Sequence, residues 1–329
     1  MPNNKWKFWI MVMFVAVFVL SACATAEPAP VETAAPSEQP REGTYYFLAG
    51  NNADPFYKPG VKGFEDAGKL VGMKTAFVGP MDLNVAEQMK TFEQLVNAPD
   101  TAGIFWYPMD FVQGEVYIKE AKAKGIPIVI GAADSPNKTR DSFIGVNDQI
   151  FGTAAGAWAQ ELTNCQGKVG AIALVQANTD ARIAAYFDYL KEMCPDLQFA
   201  DRISHDGSPA SATTALDAYL AANPDLTLIY FADGSGGQQA QNWLDKQAQG
   251  VKTMLLVTDT TDLALQGVKD GAFVGVLGQD TYTEEYWGVM LLDAISKGIP
   301  VPDTLYLAAN RVDKNNVDAF IERMAELNK

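Results

Sequence analysis

Apolar runs of strand length alternate with segments of helical period along nearly the whole chain from Thr44 onward. Few folds accommodate that pattern. Strands are expected at 44–49, 74–78, 103–106, 128–130, 168–174, 198–203, 226–231, 253–257 and 272–277. Helices are expected between them at 61–70, 85–96, 113–124, 151–162, 182–193, 212–221, 238–247 and 284–296. Such alternation implies parallel strands joined by helical crossovers, with both faces of each sheet covered.

The two halves echo each other. Asn97-Ala98-Pro99-Asp100 precedes the run at 103–106, and Ala222-Asn223-Pro224-Asp225 precedes the run at 226–231. Gly125 and Gly250 each end a helix before a strand, at the same offset of 125 residues as the two Pro-Asp pairs. In both halves a helix stops, Pro or Gly blocks its continuation, and a buried strand follows. Two similar α/β lobes are expected.

In open α/β sheets ligands bind beyond the carboxyl ends of the strands, so the residues that follow each strand are the candidates. They include Asp54, Phe56 and Tyr57 after the first strand, Tyr107 after the third and Asp134 after the fourth. In the second half they include Arg182, Asp233, Asp259 and Gln279. Asp and Asn at such positions also serve as helix N-caps, and each taken singly reads that way. Their recurrence at matched strand ends points to a shared site.

The first residues carry an address. Lys5 and Lys7 precede an uncharged apolar run, 8–20, that ends in Leu20-Ser21-Ala22-Cys23. A basic start, a run of this length and small residues before the cut make a secretory signal over 1–22. The run falls short of the roughly 20 apolar residues of a membrane span. Leu20–Cys23 resembles the lipobox of bacterial lipoproteins, which implies acylation of Cys23 and a lipid anchor. The segment 23–43 is rich in Ala, Pro, Glu, Thr and Ser, so it is expected to be a flexible tether.

Removal of 1–22 takes away two lysines and moves the formal net charge from −15 to −17. That excess argues against nucleic acid and against an anionic membrane surface as partners. Cys165 and Cys194 remain, and an isolated pair in an exported protein reads as a disulfide or as two buried free thiols. Catalytic signatures fail. Gly234-Ser235-Gly236-Gly237 lacks the Gly two places before Ser that a nucleophile elbow needs, and Gln239 occupies the third position of a dinucleotide loop. No phosphate loop, zinc spacing or calcium loop occurs. His205, the single His, reads as a solvated loop residue. Asp54 with Asp233 leaves a secreted glycoside hydrolase as the alternative of another class.

Taken together, several segments resemble the type I periplasmic sugar-binding proteins, the ribose- and galactose-binding group that feeds ABC importers. They are Asp54-Pro55-Phe56-Tyr57, Gly125-Ile126-Pro127-Ile128-Val129, Ile144-Gly145-Val146-Asn147-Asp148, Asn223-Pro224-Asp225, Asp259, and Gln279-Asp280 with Gly288. The resemblance implies two similar doubly wound parallel-sheet lobes joined by a three-segment hinge. One lobe would comprise 44–146 with 281–307, the other 147–280 with 308–329. It implies crossings near Val146, Gln279–Asp280 and Leu307–Ala308. Asp54, Arg182, Asp233, Asp259 and Gln279 would hydrogen-bond a small neutral carbohydrate, and Phe56 and Tyr57 would stack on it.

The sequence departs from ribose-binding relatives at two strand ends. Ala132-Ala133 stand where those have Asp-Arg, with Asp134 one step later, and Tyr107 stands where they have Asn, beside Trp106. Tyr107 and Trp106 are candidates for a second stacking wall, Trp106 alternatively for core. A different pentose, a hexose, a deoxy sugar or a polyol stays open. The expected protein is a monomeric, cofactor-free solute-binding lipoprotein on the outer face of a membrane, delivering sugar to an ABC permease. A sensor that presents sugar to a chemoreceptor or kinase is the alternative.

Overall fold

The structure, a computed structural model, describes residues 42–327. The expected signal segment, Cys23 and nearly all of the tether lie outside them. The first lobe begins β1 (Thr44–Leu48), α1 (Lys58–Val71), β2 (Lys74–Val78), α2 (Val85–Asn97) and β3 (Thr101–Trp106). It continues α3 (Phe111–Ala123), β4 (Ile128–Ile130) and β5 (Ser142–Val146). The chain then forms α4 (Asp148–Thr163), β6 (Lys168–Leu174), α5 (Ala177–Met193), β7 (Gln198–Phe199), β8 (Ile203–His205) and α6 (Pro209–Ala222). β9 (Leu228–Phe231), α7 (Ala240–Ala248), β10 (Met254–Thr258), α8 (Asp262–Lys269) and β11 (Gly275–Gly278) follow. The last elements are α9 (Thr281–Ser296), β12 (Thr304–Leu307), β13 (Asn310–Val312) and α10 (Val317–Leu327).

The strands form two sheets. One has the order β12-β5-β4-β3-β1-β2 and is parallel throughout. The other has the order β13-β11-β10-β9-β6-β7, with β8 also on β6. It is parallel except where β13 runs against β11. The second sheet repeats the path of the first, as the echoing Pro-Asp and Gly positions predict. The chain passes between the sheets after β5, after β11 and between β12 and β13, which is the expected three-segment hinge.

Strand alternation builds a core on each face. In the first lobe Tyr45, Phe47, Phe105 and Tyr107 pack with Phe64 of α1 and Val289 and Leu292 of α9. Leu48, Ile104 and Trp106 point the other way, onto Phe92 of α2 and Ile118 of α3. Burying each such side chain contributes about 1.5–3 kcal/mol. Glycines let two helix pairs approach closely. A Cβ on Gly63 of α1 would lie 2.2 Å from the Tyr282 carbonyl oxygen of α9, and one on Gly152 of α4 would lie 2.1 Å from the Arg182 carbonyl oxygen of α5.

Several details differ from the sequence expectation. The run at 198–203 is two short strands, because the chain bends at Ala200–Arg202 before rejoining β6. β5, β12, β13, α8 and α10 were not expected. The three strands are three to five residues long, and their burial depends on partners distant in sequence. Cys165 and Cys194 are bonded to each other, so the free-thiol alternative is set aside. Among the described residues no helix is long and apolar enough to cross a membrane.

Candidate ligand-binding cleft

The site grows from the ends of the strands. Beyond β1, Asp54 caps a single 3-10 turn, Pro55–Tyr57, and one of its oxygens accepts a 3.0 Å bond from Phe56 N. Proline fixes the entry to that turn. The turn presents two rings in edge contact, with centroids 5.1 Å apart, and Tyr57 lies 5.7 Å from Tyr107. Tyr107 follows β3 directly. Because neighbours on an extended chain face opposite ways, Tyr107 points to the cleft while Trp106 is wholly buried against Phe92, 4.8 Å away. Trp106 is therefore core and not a stacking wall.

Behind Tyr107 stands a buried carboxyl. The Tyr107 hydroxyl donates to Glu284 Oε1 at 2.7 Å, and Ala132 N donates to the same oxygen at 2.9 Å. Glu285, the next residue, is also fully buried, and both its oxygens lack a hydrogen-bond partner among the described residues. Burial pushes Glu284 up to about 7. It raises Glu285 well above the ordinary range, with the Glu284 charge adding to the rise.

The second lobe supplies a chain of polar side chains. Arg182 lies over the Phe151 ring at 4.4 Å and donates from Nε to Asp148 Oδ1 at 2.7 Å. Its Nη2 donates to Gln279 Oε1 at 3.2 Å, and Gln279 Nε2 donates to Asp259 Oδ1 at 3.0 Å. The close approach at Gly152 brings Arg182 within reach of Asp148. Asp259 has φ +69°, a conformation that Asp tolerates better than most residues. Burial raises its carboxyl to about 6. Arg182 and Gln279 oppose that rise, and the Asp233 and Asp54 charges add to it.

Asp233 caps the 3-10 segment Gly234–Gln239 and is held from three sides. Leu174 N donates to Oδ2 at 2.7 Å and Ser235 N to Oδ1 at 2.9 Å. His205 Nε2 is 2.9 Å from Oδ2. His205 Nδ1 accepts from Gly207 N at 3.0 Å, so the proton of a neutral ring sits on Nε2 and is donated to Asp233. This corrects the expectation of a solvated loop: His205 ends β8 and is buried.

Asp54, Phe56, Tyr57, Tyr107, Arg182, Asp233, Asp259 and Gln279 line one cavity of about 310 Å³ between the lobes. Asp134 is not among its lining residues. The buried Arg140 grips both Asp134 oxygens, at 2.9 and 2.7 Å, and also reaches Asp303 at 2.5 Å. Asp134 thereby fastens the loop after β4 to the start of β12. Lys58 of the first lobe meets Asp262 of the second at 3.4 Å. Sequence reading gave no role to the supports Asp148, Glu284 and Gln88, which act through contacts with cleft residues, and it read His205, just past the expected strand at 198–203, as solvated. Placing the end of β8 at His205 would have marked that residue. Among the described residues no cluster of His, Cys, Asp or Glu is arranged to hold a metal ion.

Two repeated α/β lobes, three crossings and a polar cavity between them define a hinged binding protein. The chain belongs to the periplasmic binding protein domain family, whose model matches residues 45–300. Among solved structures it is similar to a sugar-binding protein of a sugar ABC transporter from Bacillus halodurans. The two are 24% identical, with 84% of this chain and 99% of that one covered and a TM-score of 0.78. It is similar too to an ABC transporter solute-binding protein from Burkholderia graminis C4D1M in complex with D-arabinose (24% identity, 85% and 98% coverage, TM-score 0.79). A third is an arabinose-binding protein from Geobacillus stearothermophilus (23% identity, 85% and 99% coverage, TM-score 0.75). At these identities the likeness is one of fold. No curated protein matches the chain.

Proposed function

We propose that this protein is the exported, Cys23-anchored solute-binding component of an ABC-type sugar importer. It closes on one small neutral carbohydrate and presents it to a membrane permease. The observation that carries this reading is the convergence of strand-end residues from both lobes on one cavity. Its volume, about 310 Å³, lies at the small end of ligand pockets. Carboxylates and the amide of Gln279 accept and donate along a sugar's hydroxyl edge, Arg182 offers a rigid fork of donors, and Phe56 and Tyr57 cover C–H faces. Closure excludes water, so each bond is stronger than in the open cleft. The structural neighbours with bound D-arabinose, tagatose and D-allose support the same ligand class.

The hydrolase alternative is disfavoured by Asp233. Three donors already hold its carboxylate, which suits it to position hydroxyls and ill suits it to attack an anomeric carbon. A thermal-shift screen tests the proposal: neutral sugars should raise the melting temperature, because a ligand that binds only the folded state stabilises it. Stabilisation by amino acids, nucleosides or peptides alone would overturn it.

A further inference from the structure

One wall of the cavity lacks open donors. In the first lobe every open polar side chain comes from the loop 50–57. Asp54 has one oxygen on Phe56 N and one open, the Tyr57 hydroxyl accepts from Gly50 N at 3.4 Å, and Asn51 Oδ1 is taken by Ala53 N. The rest of that wall is made of Tyr107, Pro108, Met109, Ala132 and Ala133, with Leu83 beside them.

Its donors are all engaged behind the wall. Tyr107 N donates to Leu48 O at 2.9 Å, and the Tyr107 hydroxyl donates to Glu284. Met109 N donates to Gln88 Oε1 at 3.0 Å, and Gln88 Nε2 donates to Tyr107 O at 2.8 Å. Pro108 has no N–H. Gly131 N donates to Trp106 O at 3.0 Å, Ala132 N to Glu284 at 2.9 Å and Ala133 N to Gly131 O at 2.7 Å. Two wholly buried side chains, Gln88 and Glu284, thus take up the Tyr107 hydroxyl and carbonyl and the Met109 and Ala132 N–H groups, and the wall keeps no open donor. The second lobe is the opposite. Arg182 keeps Nη1 and Asp259 keeps one oxygen beyond the bonds they make to protein, and both line the cavity with Asn178 and Gln176.

We infer that the cleft selects a monosaccharide with one hydroxyl-free edge, a deoxy or methyl-bearing sugar, whose bare carbon lies against Tyr107, Met109, Ala132 and Ala133. This rests on the sugar-binding reading and narrows it. A hydroxyl placed against that wall leaves water and finds no donor for its lone pairs, whereas a methyl group loses nothing and gains apolar contact. Discrimination by a pocket of this kind is on the order of 10- to 100-fold.

Titration calorimetry on the purified chain with matched pairs reads this directly: L-rhamnose against L-mannose, L-fucose against L-galactose, D-fucose against D-galactose. The deoxy member of at least one pair should bind about tenfold tighter or better. Equal or tighter binding of the hydroxymethyl member in every pair that binds overturns the inference and leaves sugar binding intact. So does binding of other neutral sugars with none of these six. Absence of binding by any neutral sugar removes both readings. The variant Ala133→Ser, which places a hydroxyl in the wall, should reduce the preference within the favoured pair at least threefold, roughly the effect of one weak hydrogen bond. A preference unchanged by that substitution also counts against the wall as its source.

Discussion

His205 Nε2 stands 2.9 Å from Asp233 Oδ2, and His205 Nδ1 faces Gly207 N at 3.0 Å. The ring is therefore fixed as a donor toward the cleft. His205→Ala should loosen Asp233 and weaken ligand binding by about tenfold, the loss of roughly one hydrogen bond to a charged group. His205→Gln, which keeps a donor, should restore part of it. Calorimetry on both variants checks this, and identical affinities for wild type and His205→Ala would refute the role.

Asp259 should separate binding from stability, and Arg182 should couple them. Asp259→Asn keeps the shape and removes a buried charge already raised to about 6 by burial. Affinity should fall about tenfold or more while the ligand-free melting temperature holds or rises. Arg182→Ala should abolish binding and also destabilise, by about 3–5 kcal/mol, since it strands Asp148 and Gln279. Full affinity in Asp259→Asn would remove that carboxylate from the site.

Glu285 predicts an unusual pH dependence. Glu284 and Glu285 are raised in the folded protein, so between the ordinary glutamate range and their folded values the native state holds more protons than the unfolded one. The contribution of this pair to stability is then complete at low pH and falls as pH climbs from about 4.5 through neutrality. Glu285→Gln should flatten that fall and raise the melting temperature at pH 8 by several degrees, about 2–4 °C for each kcal/mol. A melting temperature that drops at pH 8 would show that the charged form is the stabilising one.

The cysteine bridge closes a sequence separation of 29 residues. With Cys23 replaced by Ser, a thiol reagent should label neither Cys165 nor Cys194 in denaturant until a reductant is added. Replacing both by Ala should lower stability by about 2–4 kcal/mol. Labelling of the unreduced, unfolded chain decides against the bridge.

Cys23→Ser should shift the protein from the membrane fraction to the soluble fraction of its host without changing ligand affinity. The tether expectation gives a reach near 5–6 Å × √n, about 25 Å for roughly 20 residues. Retention of Cys23→Ser on membranes would require another anchor.

Alternation of strand and helix, with the doubled Pro-Asp and Gly positions, by itself determined the fold class. Period and chain breakers are local properties, written in neighbouring residues. The same local logic found the strand ends, and eight of nine residues chosen there line one cavity. What the tertiary structure decided was the use of each side chain. Asp134 follows a strand like the others but faces Arg140, a partner six residues on that itself bonds Asp303, 163 residues away. Trp106 and Tyr107 are adjacent and alike in chemistry, yet Trp106 is core alone while Tyr107 packs in the opposite core and also lines the cavity, because what each face meets depends on which helices cover the sheet. The drying of that wall by Glu284 and Gln88 is a hydrogen-bond pattern between distant segments, and no spacing in the sequence encodes it.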